Sequence, residues 1–152
     1  MDETYLKVNG TWRYLFRAMD QFGQVIDVFL SPRRDAKAAR GLFKRAIDRT
    51  RISPAEVTTD RYRVYPRVLD ELFPAAFHDT EVHANNALET DHGRLKARLR
   101  PMRGLKRDRT ARVIVAGHAF VQNLRWGFYD LGTDVRPALR LAEAFAELTL
   151  VI

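Results

Sequence analysis

The chain contains no cysteine, which excludes disulfide scaffolds, cysteine-bound zinc and thiol nucleophiles. It also lacks any apolar run approaching the roughly 18 residues of a membrane-spanning helix. Asp2 and Glu3 stand at its start, which reads against the basic opening of a signal peptide. No glycine-rich phosphate loop, GxGxxG or GxSxG pattern occurs, so nucleotide hydrolysis and serine hydrolysis have no support. Internal repeats and low-complexity linkers are absent too, and the 152 residues read as one folded unit.

Positive charge is abundant. Lysine and arginine number 26 against 19 acids, giving a net charge of +7 on a chain that is 46% hydrophobic. That hydrophobic share supports a real core, unlike a disordered chain. The charge balance points to a polyanionic partner, nucleic acid first and an anionic membrane surface second. The expected class is a soluble, intracellular, basic domain.

Periodicity orders the elements. Asp2 to Val8 is rich in strand formers, Asn9-Gly10 is a two-residue hairpin turn, and Trp12, Tyr14 and Phe16 alternate along the next strand. A turn at Gln21-Phe22-Gly23 leads to a third strand over 24–30. Asp35 then caps a helix carrying Ala39, Leu42, Phe43, Ala46 and Ile47 at helical spacing. A short strand over 54–60 ends in Asp60, a helix starts at Pro66 and stops at Pro74, and a fifth strand lies within 77–83. Three helices follow: Asn85 or Asn86 to about Arg100, Thr110 to Trp126, and Pro137 to Leu148. The order β-β-β-α-β-α-β-α-α-α predicts an α/β fold with a mixed five-stranded sheet flanked by helices, closest to the ribonuclease-H-like arrangement.

In that arrangement Asp2 lies on the first strand, Asp60 at the end of the fourth, and Glu89 near the start of the helix after the fifth. Three carboxylates on one rim make a hard oxygen site suited to Mg²⁺ or Mn²⁺. Two such ions suit phosphodiester chemistry, because they stabilise both the attacking and the leaving oxygen. Taken singly, Asp60 is more commonly a turn residue and Glu89 a helix-start acid, because turns and caps use acids often. His92, Gly93, Lys96 and Arg100 share the helix face of Glu89, while Leu88, Leu95 and Leu99 form an apolar stripe.

From Arg94 to Arg112 basic residues crowd together with Asp108 as the single acid. This stretch suits phosphate-backbone binding without sequence reading. His78, Glu81 and His83 lack a helix-held HExxH, so a zinc site is weakly supported. The alternating aromatics at 12, 14 and 16 read as packing before base stacking. By spacing, Val113, Phe120 and Leu124 are core residues, and Gln122 and Asn123 are surface polar groups.

Three strings carry a family likeness: DETYLKVNGTWRYLFRAMDQFGQVIDVFL, VTTD and NNALETDHGRLKARLRPMRGLK. They resemble the catalytic domain of bacterial insertion-sequence transposases of the IS-six type, within the wider DDE transposase and integrase-like group. The resemblance implies that Asp2, Asp60 and Glu89 are the acidic triad holding two Mg²⁺ (or Mn²⁺) ions. It matches Lys96 to the basic residue seven positions after the glutamate. His92, Arg94, Lys96, Arg98, Arg100, Arg103, Lys106 and Arg107 become the expected DNA contacts.

The implied function is metal-dependent DNA cleavage and strand transfer in insertion-sequence transposition. The implied partners are element ends and target DNA, bound by a homodimer or higher oligomer, with no membrane. The implied location is the cytoplasm, at the bacterial nucleoid. Residues 1–130 read as an N-terminally truncated catalytic domain, since the family carries a DNA-binding region upstream, and 131–152 read as a C-terminal helical extension. Asp60 and Glu89 stand 29 residues apart, a shorter step than the group's usual one, and Tyr62-Arg63 replaces its Ala-Pro. A catalytically inactive, DNA-binding remnant is the alternative reading, and a metal-dependent nuclease without strand transfer is a third.

Overall fold

Asn9 and Gly10 both take the left-handed backbone, with φ of 47° and 77°, as a tight hairpin turn requires. They reverse β1 (Asp2–Val8) into β2 (Thr11–Met19), and β3 (Val25–Ser31) continues the antiparallel sheet in the order β1-β2-β3. The computed structural model describes residues 1–81 and 86–151, with only the helical backbone at 86–91. The remaining elements are α1 (Ala36–Thr50), β4 (Glu56–Thr58), α2 (Tyr65–Leu72), β5 (Phe77–Asp79), α3 (Asn86–Leu99), α4 (Asp108–Trp126) and α5 (Arg140–Thr149). The element order is the expected one.

The expected single five-stranded sheet is instead a three-stranded and a two-stranded sheet. β4 and β5 pair in parallel over three residues each, from Glu56↔Phe77 to Thr58↔Asp79. They are too short to extend a ladder along β1. Among the described residues, one link across the junction is the N-terminal ammonium of Met1, which donates to the carbonyl of Thr58.

Helices cover the three-stranded sheet on both faces. On one face α1 and α2 bury Leu42, Phe43, Tyr65 and Val68 against Phe16. Asp35 starts α1 by accepting the Ala38 amide at 2.9 Å, so the predicted cap is present. On the other face Leu95 and Val115, from α3 and α4, meet Leu6, Leu15 and Leu30. The predicted stripe holds at Leu95, and Leu99 packs beside it; the Leu88 side chain lies outside the described residues. α5 packs on the end of α4, where Glu147 Oε1 accepts the Gly132 amide at 2.9 Å.

Helix α4 corrects the sequence reading. Val113 is 66% exposed and Phe120 is exposed as well, whereas Gln122 and Asn123 are buried; Leu124 is buried as expected. The buried stripe runs Ala111, Val115, His118, Ala119 and Gln122, so the sheet-facing side is partly polar. Asn123 has a definite use there. Its Oδ1 accepts the Val25 amide and its Nδ2 donates to the Val25 carbonyl, both at 2.9 Å, which satisfies the start of an edge strand.

Candidate active site

The pleat of β1 sorts its carboxylates. Asp2, Thr4, Leu6 and Val8 are buried in alternation with Glu3, Tyr5 and Lys7, so Asp2 faces α3 and Glu3 faces α2. Asp2 lies opposite Arg17 in register. Its Oδ1 accepts the Glu3 amide at 2.7 Å, and its Oδ2 is 3.5 Å from His92 Nδ1, too long for a strong bond. Burial raises the Asp2 carboxyl above its ordinary value, the Glu3 amide opposes that rise, and the charge of Asp60 adds to it. The neighbouring Met1 donates to the Thr58 carbonyl, two residues before Asp60.

Asp60 follows β4. Its Oδ1 accepts the Tyr62 amide at 2.9 Å, and its Oδ2 accepts from Arg34 Nη2 at 3.1 Å. It borders a depression of about 220 Å³ together with Arg61, Tyr62, His78 and Thr80. A larger cavity of about 480 Å³ runs along β3 beside Arg45, Arg49 and Arg112 and shares none of these lining residues. Glu89 falls in the early part of α3, and its side chain lies outside the described residues. Among the described residues no group of three or more His, Asp or Glu forms a metal cluster. His78 Nε2 is 2.7 Å from Thr59 Oγ1, which ties its ring to β4; His83 lies outside the described residues.

The basic stretch is where a polyanion can reach it. Arg94, Lys96, Arg98, Arg100, Arg103, Lys106 and Arg107 are all exposed. Arg94 stacks over Trp126 at 5.7 Å and Lys96 over Tyr5 at 5.3 Å. After α3 the backbone turns through left-handed Arg103 and Gly104, and Leu105 returns beside Val8. His92 differs from the rest of the stretch, being buried against Asp2. Of the alternating aromatics, Phe16 is core and Tyr14 half-buried, but Trp12 is 53% exposed and meets Tyr5 edge to face at 5.3 Å.

Two networks escaped the sequence reading. Arg17 is fully buried; burial lowers its pKa to about 10, and Asp2 partly restores it. Around it, burial and then the Arg17 charge hold His92 at about 3 and His118 at about 4, so both rings are neutral at pH 7. A cation between Phe16 and Ala18, within the apolar second half of β2, was the available signal. On the other face, Glu3 is 6% exposed at its side chain and accepts from Tyr65 Oη at 2.8 Å and from Arg34. Burial and the Glu3 charge push the Tyr65 phenol well above its ordinary value.

Residues 1–127 match the family described as a DDE domain. The transposase of the insertion sequence-like element IS431mec from Staphylococcus aureus is 34% identical over 103 residues, covering 64% of this chain and 46% of that protein. The transposase of IS257 in transposon Tn4003, from the same species, gives the same figures. The chain thus spans about half the length of these curated relatives. Among solved structures, a chain of the simian T-cell lymphotropic virus intasome, in complex with PP2A regulatory subunit B56 gamma, superposes with a TM-score of 0.64 at 18% identity. That likeness covers 92% of this chain and 52% of the viral one, and it is a likeness of fold.

Proposed function

The chain belongs to the DDE-domain family, and on that premise we propose that it is a transposase catalytic domain that cleaves DNA and transfers strands in insertion-sequence transposition. The observation that supports this reading is the junction of β1 and β4, where the Met1 nitrogen donates to the Thr58 carbonyl, so that Asp2 opens one strand and Asp60 lies two residues past the end of the other. Two hard oxygen donors that repel each other suit a divalent cation. Asp2, Asp60 and Glu89 are the residues that would hold two Mg²⁺ or Mn²⁺ ions. When bound, such a pair stabilises the attacking and leaving oxygens of phosphodiester exchange.

The chain's own residues supply the rest. Lys96 and the exposed arginines from Arg94 to Arg107 hold the phosphate backbone in place. His92, buried and neutral, packs beside Asp2 and limits water around its carboxylate. The reading extends to β3-β2-β1-β4-β5 as one ribonuclease-H-like layer, to residues 1–130 as the catalytic unit and to 131–152 as a helical extension. It also extends to a homodimer or higher oligomer on element ends and target DNA, acting in the cytoplasm at the nucleoid. No helix among the described residues is long and apolar enough to cross a membrane.

The test is plasmid nicking and strand joining in Mn²⁺ by the purified chain, beside Asp60→Asn and Glu89→Gln. Losses of at least about 100-fold in both variants, with salt-sensitive DNA binding retained, are expected for a metal-ligating pair. DNA binding without metal-dependent nicking in any of the three proteins would instead establish the inactive-remnant reading. Nicked products never joined to a second DNA would mark a nuclease.

A further inference from the structure

The guanidinium of Arg34 lies between two carboxylates with different roles. It bonds Glu3 Oε1 through Nε, and its Nη2 also reaches Asp60 Oδ2 at 3.1 Å. Glu3 is nearly buried and has a second donor in Tyr65 Oη at 2.8 Å. Asp60 is a third exposed at its side chain and receives one Arg34 nitrogen. Tyr62 completes the seat. Its ring lies 3.9 Å from the guanidinium carbon, its hydroxyl donates to the Arg34 carbonyl at 3.0 Å, and its amide fixes Asp60 Oδ1.

We propose that Arg34 is a built-in counterion for Asp60, which competes with the divalent cation for the Asp60 carboxylate and stays anchored on Glu3 once the cation has taken it. The asymmetry of the two attachments decides which one yields. A buried carboxylate stripped of its cation is costly, whereas a half-exposed pair bound through one nitrogen is weak. Arg34 is thus a positioning residue. Without metal it keeps Asp60 oriented and relieves its repulsion with Asp2; with metal it remains at the mouth of the site with donors free to meet a phosphate oxygen. The inference rests on Asp60 being a metal ligand.

The test is Mn²⁺ titration by calorimetry, at fixed ionic strength, of the wild-type chain, Arg34→Gln, Arg34→Lys and Asp60→Asn, with thermal melts to confirm folding. Arg34→Gln removes the competing charge and is expected to bind Mn²⁺ about three- to tenfold more tightly. Arg34→Lys keeps the charge but loses the fork, and it is expected to tighten binding by about twofold; it carries the test should Arg34→Gln fail to fold. Asp60→Asn is expected to weaken binding at least about tenfold. Unchanged or weaker binding in both Arg34 variants, with Asp60→Asn impaired, overturns the counterion role and leaves the ligand reading intact. Unimpaired binding in Asp60→Asn overturns both.

Discussion

Asp2 and Glu3 are consecutive carboxylates on one strand, and the fold treats them oppositely. Asp2 turns toward α3 and α4, where Arg17, His92 and His118 are buried with it and burial holds its carboxyl above the ordinary range. Glu3 turns toward α1 and α2, where Tyr65 and Arg34 donate directly to its two oxygens. One acid is left with its Oδ2 only loosely engaged, and the other is tied down on both oxygens. Under the proposed function, the carboxylate that would meet the metal is the one with fewer protein donors, while its neighbour anchors the Arg34 cation.

The largest effect separating the two layers is expected at Arg17. Arg17→Met removes the fully buried cation that lies opposite Asp2 in register, and urea denaturation at pH 7 is expected to show a loss of about 3 kcal/mol. Asp2 can shed part of that cost by protonating, and its carboxyl already lies high. The loss is therefore expected to shrink as the pH approaches 4. In a double-mutant cycle, Asp2→Asn should make Arg17→Met markedly less damaging. Additive losses would mean that Asp2 does not depend on Arg17 and that the two layers do not differ in kind.

How much of this was legible in the sequence follows from what each residue type signals. The hairpin at Asn9-Gly10, the Asp35 cap and the element order were readable because turn chemistry and period are local. The three-plus-two split of the sheet was not, since strand length at β4 and β5 is set by how the crossover through α2 packs. On α4 the periodicity found a helix but misplaced its faces. Asn123 read as a surface group because its burial depends on the Val25 edge nearly a hundred residues away, and Gln122, read the same way, is fully buried beside it. Glu3, Arg34 and Tyr65 carry no motif and meet only in three dimensions, so they were not legible.

The next effect is a pH dependence confined to the Asp2 layer. His92 and His118 sit near 3 and 4 when folded, against about 6.5 when unfolded. Their neutral state is therefore matched above pH 6.5, and stability is lost as the pH falls below that value and the unfolded chain takes up protons first. The loss is on the order of 2 kcal/mol per histidine at pH 5. The raised Asp2 works in the opposite sense, because the folded state gains its proton before the unfolded chain does, so it offsets part of the histidine-driven decline at lower pH. In His118→Gln, urea midpoints across this window should lose about half of their slope. A full slope in that variant would place the titration elsewhere.

The smallest effect tests the Glu3 layer. Tyr65→Phe removes the 2.8 Å donor to Glu3 Oε2 and leaves Arg34 in place on Oε1. One net hydrogen bond to a charged, nearly buried acceptor that keeps its cation is worth about 1 to 2 kcal/mol. Urea denaturation should read a loss in that range. Glu3, Arg34 and Tyr65 include no histidine, so the slope of stability between pH 6.5 and 5 should match the wild type. A loss equal to that of Arg17→Met, or a changed slope, would show that the strand couples its two faces. The small, pH-flat loss expected here instead means that β1 insulates Glu3, tied down by Tyr65 and Arg34, from Asp2 by the thickness of its own pleat.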